Sequence, residues 1–443
     1  MEKLIEGFFN FRKEGTNLRR EITAGLTTFM AMAYIIVVQP AVLSQGGMDF
    51  GSVMVATCLA SAIATFIMGI YARYPIALAP GMGLNFYFVY TVIIGMGIAW
   101  QSVMGAVFIS GVIFIILSVW KVRERLINSI PESLQCGIAA GIGLFIAFIG
   151  LLQSGMIEKS GLILSAGRFH DREVLLSVAG LMITGVLVAR RIRGSILLGI
   201  ILTTLLGLLS GVIKFQGVIG AVPSISPTFL RLDIAGALKH GLFTVIFVFL
   251  FMDIFDTVGT AVGIGQAGGF MKDGKLPRAG RVLFSDAIGT TVGALLGTST
   301  VTSYVESAAG ISSGGKTGFT SVVTAACFLL ALFFYPLVNM IGTGIPGKGG
   351  VMLYPATAPA LIIIGSLIMS SVRKIRWEEP SESIPAFLAF AGIPLTYNIG
   401  DGMALGFISY VLIKLFSGKA KELNWLLVFV ALAFIFKYAF LLK

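Results

Sequence analysis

The stretch Gly-Thr-Ser-Thr-Val-Thr-Ser-Tyr-Val-Glu-Ser-Ala-Ala-Gly, residues 297–310, is too small and polar for a lipid-facing helix, yet segments long enough to cross a bilayer flank it on both sides. It carries Glu306, and a carboxylate at membrane depth on broken backbone marks a functional site. Non-helical backbone survives at that depth only when it is packed in protein or lines a cavity, because an unpaired peptide group in hydrocarbon costs several kcal/mol. The stretch therefore points to a membrane bundle whose interior handles something polar.

Composition agrees. Hydrophobic residues make up 56% of the chain and charged residues 12%, mean hydropathy is +0.95, and the 55 glycines are spread through apolar runs. This is the make-up of an all-α polytopic membrane protein. The apolar runs are continuous across the 443 residues and leave no loop long enough for a separate soluble domain. The net charge of +11 comes from Lys and Arg clustered in short turns, which is the pattern that fixes topology and not a nucleic-acid footprint. Cys58, Cys136 and Cys327 lie in apolar segments and are odd in number, so no disulfide framework is indicated. Residues 1–21 are charged throughout and form a cytoplasmic N-terminal segment with no cleavable signal. No metal or organic cofactor is called for.

Read in windows of roughly 20 residues, spans fall at 22–44, 52–71, 76–95, 98–120, 131–153, 173–189, 194–213, 238–264, 280–296, 298–314, 317–341, 353–372, 383–398 and 402–416. With the N-terminus inside, the cytoplasmic loops hold Arg73; Lys121, Arg123 and Arg125; Arg190, Arg191 and Arg193; Lys272, Lys275, Arg278 and Arg281; Lys316; Arg373, Lys374 and Arg376; and Lys419 and Lys421. The outside loops carry only scattered Lys159, Arg168, Lys214, Arg231, Lys239 and Lys348, which fits a multi-pass protein of the cell membrane. In the 417–443 tail, residues 424–441 are apolar enough for one more span, but Lys437 interrupts them. A helix lying at the interface or against the bundle is the expected outcome.

About fourteen spans divide into two sets of seven, and an odd number of crossings inverts the second set relative to the first. At a spacing near 225, Ile-Ala-Thr (63–65) matches Ile-Gly-Thr (288–290), and Pro131 matches Pro355. The third and tenth segments are the two that look broken. Residues 76–85 hold a Pro-Gly-x-Gly core that does not continue a helix, and Thr298 to Thr302 favours extended backbone. Each pairs a short strand with a half-helix, and the two half-helix N-termini are expected to aim free N–H groups at one shared site.

Asp253 and Asp256 sit three apart on span eight, Glu306 comes from span ten and Asn85 from span three. Desolvation favours a carboxyl's neutral form, so such groups bind and release protons. Phe86, Tyr87 and Tyr304 offer aromatic faces for a flat ligand. Asp286 reads as structural. His170 and His240 fall in outside loops, which leaves no histidine for a relay. The glycines of 137–143 suit either sliding or static helix contacts.

The motifs Ala-Pro-Gly-Met-Gly-Leu-Asn (79–85), Met-Asp-Ile-Phe-Asp-Thr-Val-Gly-Thr (252–260) and Ser-Thr-Val-Thr-Ser-Tyr-Val-Glu-Ser-Ala-Ala-Gly-Ile (299–311) resemble those of the AzgA-like purine permeases, a branch of the nucleobase–cation symporter and nucleobase–ascorbate transporter superfamily. The similarity runs from Glu21 to about Lys421. It implies a first repeat, 22–213, with core spans 22–120 and gate spans 131–213, and a second, 238–416, with core spans 238–341 and gate spans 353–416. It further implies proton-coupled uptake of hypoxanthine, guanine or adenine, with H⁺ as coupling ion and a homodimer left open. By position, Asp253 and Glu306 hold the base, Asn85 and Gly83 shape the opposite wall beside Phe86 and Tyr304, and Asp256, Asp253 and Glu306 serve coupling. Uracil-transporting relatives place a histidine four residues after the first span-eight acid, where this chain has Thr257, and many branch members have a small residue at Phe86.

Two alternatives share part of this pattern. Another nucleobase, uracil or xanthine, fits the same fold. A small anion fits it too, but three acids would repel an anion. An intramembrane aspartyl protease lacks its signature here, since Asn398 to Asp401 is missing the first glycine.

Overall fold

Asn17 caps the first membrane helix, its side chain accepting the Arg20 N–H at 3.0 Å, so the first span starts four residues before the apolar run does. The structure, a computed structural model, describes residues 2–119, 131–160, 163–239, 242–271, 276–347, 352–436 and 438–439. The expected loop charges Lys121, Arg123, Arg125, Lys272, Lys275 and Lys348, with His240 and Lys437, lie outside the described residues.

After short helices α1 (Glu2–Phe9) and α2 (Phe11–Glu14), the first span is α3 (Leu18–Met32) and α4 (Ile35–Leu43), interrupted at Ala33 and Tyr34. Next come α5 (Phe50–Ile67), β1 (Leu78–Pro80) and α6 (Met82–Phe86), which runs on as a π-helix to Gly95. The first half closes with α7 (Trp100–Val119), α8 (Glu132–Gln153), the hairpin β2 (Ile157–Ser160) and β3 (Ile163–Ala166), α9 (Arg172–Ala189) and α10 (Ser195–Leu209). The second half holds α11 (Ile234–Lys239), α12 (Phe243–Ala267), α13 (Ala279–Leu296), β4 (Val301–Ser303), α14 (Ser307–Ser312), α15 (Gly318–Ala331) and α16 (Tyr335–Gly342). It ends with the hairpin β5 (Ile345–Pro346) and β6 (Met352–Leu353), then α17 (Ala358–Met369), α18 (Pro380–Thr396), α19 (Ile399–Phe416) and the tail helix α20 (Trp425–Phe436).

Among the described residues, 8 helices are long and apolar enough to cross a membrane. The other expected spans have elements at their places that fall short by length or polarity: the two broken ones, the short α10 and α17, the more polar α13 and the proline-bearing α18. Glu21, placed by the sequence in the charged N-terminal segment, is fully buried inside α3. Its carboxylate accepts from the Thr320 hydroxyl (2.6 Å) and N–H (3.2 Å), the Thr317 hydroxyl (2.9 Å) and N–H (3.3 Å) and the Lys316 N–H (3.0 Å). A negative group there satisfies the open N–H groups and positive end of α15.

The helices pack in two groups. In one, α13 lies along α5 and α7, α15 along α3 and α5, and α12 along α7; in the other, α8 lies along α17 and α18, α18 along α19, and α9 along α10 and α17. The 137–143 glycines work inside the second group. A Cβ at Gly137 would sit 2.5 Å from the Ala386 carbonyl oxygen, and one at Gly143 2.7 Å from that of Gly365. Contacts that close, backbone on backbone, lock α8 to its neighbours, so these glycines serve static packing within one group and not sliding between the two.

The tail helix α20 buries Leu427, Val430, Ala431 and Phe434. Phe434 stacks on Phe407 of α19 at 6.2 Å and meets Phe247 of α12 edge-on at 6.3 Å, so the helix lies against the bundle.

Candidate functional site

The two broken segments meet. β1 and β4 pair antiparallel, Leu78 opposite Ser303, Ala79 opposite Thr302 and Pro80 opposite Val301, and the Gly81 N–H to Thr300 O and Tyr304 N–H to Ala77 O bonds, both 2.9 Å, extend the ladder. Each strand still has an outer edge to satisfy at membrane depth. Thr65 does this for β1: its hydroxyl donates to Leu78 O (3.0 Å) and accepts from Leu78 N–H (2.9 Å). Thr290 is the counterpart for β4: its hydroxyl accepts from Val301 N–H at 3.1 Å and lies 3.0 Å from Val301 O, sharing its one proton between that carbonyl and Asp253. These are the threonines of the matching Ile-Ala-Thr and Ile-Gly-Thr triplets.

Beyond the strands the two halves differ. The first N–H groups of α6 have no intrahelical acceptor, and Met82, Gly83 and Leu84 border the cavity described below. At α14, by contrast, tight turns occupy those groups: Ser307 N–H bonds Tyr304 O (3.1 Å), Ala308 N–H bonds Val305 O (3.0 Å) and Ala309 N–H bonds Glu306 O (2.9 Å). Only one of the two expected half-helix N-termini is therefore open, because the 304–307 backbone turns on itself and spends its donors locally.

A cavity of about 440 Å³ lies where the groups meet, inside the roughly 300–1,000 Å³ of small-molecule sites. Its walls include Tyr34, residues 81–84, Phe251, Met252, Phe255, Asp256, residues 302–306, Ile138, Ala139, Ile142 and Met403, and it reaches Gln135, Cys136 and Ser371. No Lys, Arg or His is among these lining residues. Toward the other ends of the helices the two groups are bolted together. Tyr90 donates to Gln45 Oε1 and accepts from Gln153 Nε2, both at 2.7 Å, the Thr91 hydroxyl donates to Tyr397 O at 3.2 Å, and Phe145 and Phe148 sit edge-on to Tyr397.

Of the residues singled out from sequence, Glu306, Asp256, Tyr304 and Gly83 line this cavity. Glu306 Oε1 accepts the Tyr34 hydroxyl at 2.7 Å. The Tyr304 hydroxyl donates to Pro80 O at 2.5 Å, which ties the two broken segments together. Gly83 is a close approach, since a Cβ there would lie 2.8 Å from Ile142 Cγ2.

Asp253, Asn85 and Phe86 are placed elsewhere. Asp253 is 1% exposed, turned away from the cavity, and accepts the Thr290 hydroxyl at 2.7 Å. Residues three apart on a helix differ by about 60° in direction. That is enough to aim Asp256 into the cavity and Asp253 at α13. Asn85 is fully buried and its Oδ1 accepts the Ser299 hydroxyl, in a patch where Gln39 Nε2 donates to Thr298 Oγ1 (3.0 Å) and Ser299 Oγ (3.2 Å). Phe86 is fully buried and stacks on Tyr90, ring centres 5.6 Å apart.

Thr257, at the histidine position of the uracil transporters, is fully buried and shares a 2.8 Å hydrogen bond with Thr302. Asp286 is fully buried in α13. His170 is exposed. Asn398 caps α19 by accepting the Asp401 N–H at 3.2 Å. Tyr34 and Gln39 were not singled out from sequence. A polar amide within an apolar run was a visible signal for Gln39, whereas one tyrosine in a membrane span reads as ordinary packing.

The chain is similar to known permeases along nearly its whole length. The permease family matches residues 19–404. A permease of Methanocaldococcus jannaschii is 52% identical, the alignment covering 99% of each chain. The guanine/hypoxanthine permease PbuG of Bacillus subtilis is 42% identical over 99% of this chain and 100% of its own length. The adenine permease AdeP of Escherichia coli is 40% identical over 99% and 96%. In fold, the chain is similar to the transmembrane domain of the cyanobacterial bicarbonate transporter BicA, with a TM-score of 0.63 at 13% identity over 88% of this chain and 97% of that one. It is likewise similar to the murine Solute Carrier 26 family member A9 anion transporter, TM-score 0.65 at 10% identity over 94% and 72%. The architecture is that of two inverted seven-span repeats arranged as core and gate lobes.

Proposed function

The chain belongs to the permease family, among the purine permeases of the nucleobase–ascorbate transporter superfamily, and from that premise we propose that it imports purine nucleobases, guanine and hypoxanthine foremost and adenine with them, by proton symport. The observation that carries the reading is the pairing of unlike walls across one cavity. Glu306 and Asp256 supply acceptors on one side, and the open first turn of α6 supplies N–H donors on the other. A planar purine has both kinds of edge. Guanine presents a ring N–H beside an amino group to the carboxylates and turns its ring nitrogens and carbonyl toward α6.

The relatives' names support the substrate class. Two carboxyls and no basic side chain among the lining residues argue against a small anion on the same fold. For the proton, the reading assigns Asp256 and Glu306, which face the cavity, with Asp253 behind them on Thr290. No histidine lines the site, so coupling rests on carboxyls.

Transport proceeds by movement of the core lobe, spans 1–4 and 8–11, against the gate lobe, spans 5–7 and 12–14. The conformation described here is sealed at Gln45, Tyr90 and Gln153, which is the outer side if the N-terminus is cytoplasmic as the loop charges indicate.

The test is uptake of radiolabelled guanine, hypoxanthine, adenine and uracil into cells lacking their own permeases, with and without a protonophore, for wild type and Glu306→Gln. The reading expects purine uptake that collapses with the protonophore and with the substitution. Well-expressed protein that takes up none of the bases overturns it.

A further inference from the structure

Two tyrosines line the cavity, and their hydroxyls are spent differently. That of Tyr304 is bonded to the Pro80 carbonyl and serves the scaffold. That of Tyr34 goes to the carboxylate of Glu306, Oη to Oε1 at 2.7 Å. Tyr34 sits at the interruption between α3 and α4, where the first span breaks its helix at Ala33 and Tyr34, and its side chain is 2% exposed while bordering the cavity. Both partners belong to the first packing group, so the contact travels with the site. We infer that Tyr34 is a positioning residue that sets base selectivity by holding Glu306 as a hydrogen-bond acceptor, which favours guanine over adenine.

A tyrosine hydroxyl has one proton to give, and here Glu306 Oε1 takes it, which turns the carboxylate and leaves Oε2 to meet the ligand. An acceptor held in this way matches an edge made only of donors. Guanine has one, its ring N–H beside its amino group. Adenine pairs an amino donor with a bare ring nitrogen, so it needs a partner that donates as well as accepts. Glu306 does that only when it carries a proton, and a hydrogen bond donated by Tyr34 is stronger to the charged carboxylate than to the neutral carboxyl. The hydroxyl therefore helps one base and works against the other. This inference rests on the purine reading above and goes beyond it by naming the residue that sorts the purines.

The test compares KM and Vmax for guanine and adenine uptake in wild type, Tyr34→Phe and Tyr304→Phe. A ratio of two bases taken up by one preparation does not depend on how much protein reaches the membrane. For Tyr34→Phe the guanine KM is expected to rise about tenfold, the size of one lost hydrogen bond to a charged group, while the adenine KM stays level or falls and Vmax holds within about twofold. Tyr304→Phe is expected to change both bases together. In purified Glu306→Gln protein, whose amide both donates and accepts, removing the Tyr34 hydroxyl is expected to leave the ratio of guanine to adenine binding affinities unchanged, because the two residues act as one unit. Equal changes for both bases in Tyr34→Phe, or no change, overturn the inference while leaving the purine reading in place. A wild type that takes up neither base overturns both.

Discussion

The two broken spans share a scaffold and differ in chemistry. β1 and β4 lie side by side, and each has its outer edge closed by a threonine from the preceding span, Thr65 or Thr290. After β1, the α6 terminus keeps its N–H groups free at the cavity, and the side chains there are Met82 and Leu84 around two glycines. After β4, the chain uses its N–H groups in tight turns and presents Tyr304 and Glu306 instead. The inverted repeat thus supplies the same frame twice, while one half became the donor wall and the other the acceptor wall. Thr290 marks the same divergence, because it also bonds Asp253, and Thr65 has no such acid among the described residues.

The largest effect expected from breaking this comparison is at the acceptor wall. Glu306→Gln should lower guanine kcat/KM by about 100-fold, at the upper end of a hydrogen bond to a charged group. Asp256→Asn comes next, with a fall of about 30-fold in the same uptake assay. Asp253→Asn should keep the guanine KM within about threefold and act on the melting temperature of the purified protein instead. Equal losses for the two aspartates would show that the cavity reaches further behind α12 than the structure places it.

The donor wall is tested by shape. Gly83→Ala would place a methyl 2.8 Å from Ile142 Cγ2. A rise of about tenfold in guanine KM is expected, relieved by Ile142→Ala in the same chain. The smallest effects belong to the frame. Thr65→Val leaves one strand edge unpaired and should cost about 1–2 kcal/mol of stability. Thr290→Val should cost more, because it also strips Asp253 of its donor, and melting curves of the two variants decide the order.

Much of this frame was legible in the sequence. Span positions follow from apolar length, and the broken segments from Pro-Gly-x-Gly and from the Thr-rich run before Glu306. The 63–65 and 288–290 match carried more than symmetry, since its threonines close the strands. Glu306 was legible because a lone carboxylate at membrane depth is too costly to keep without a role. The choice between Asp253 and Asp256 was not, because spacing gives relative angle on a helix but not which way the helix is turned. That rotation is set by α13 packing behind it. Asn85 illustrates the same limit: its amide faces Ser299 and not the ligand space. Glu21 was hidden because its partners lie about 300 residues away in sequence and no local pattern joins them.

The most direct measurement is an electron cryomicroscopy map of the protein saturated with guanine. A flat density is expected between Glu306 and the first turn of α6, with Asp256 at its edge and Asp253 out of contact. Density elsewhere, or a base touching Asp253 and Asn85 with Glu306 free, would contradict that placement.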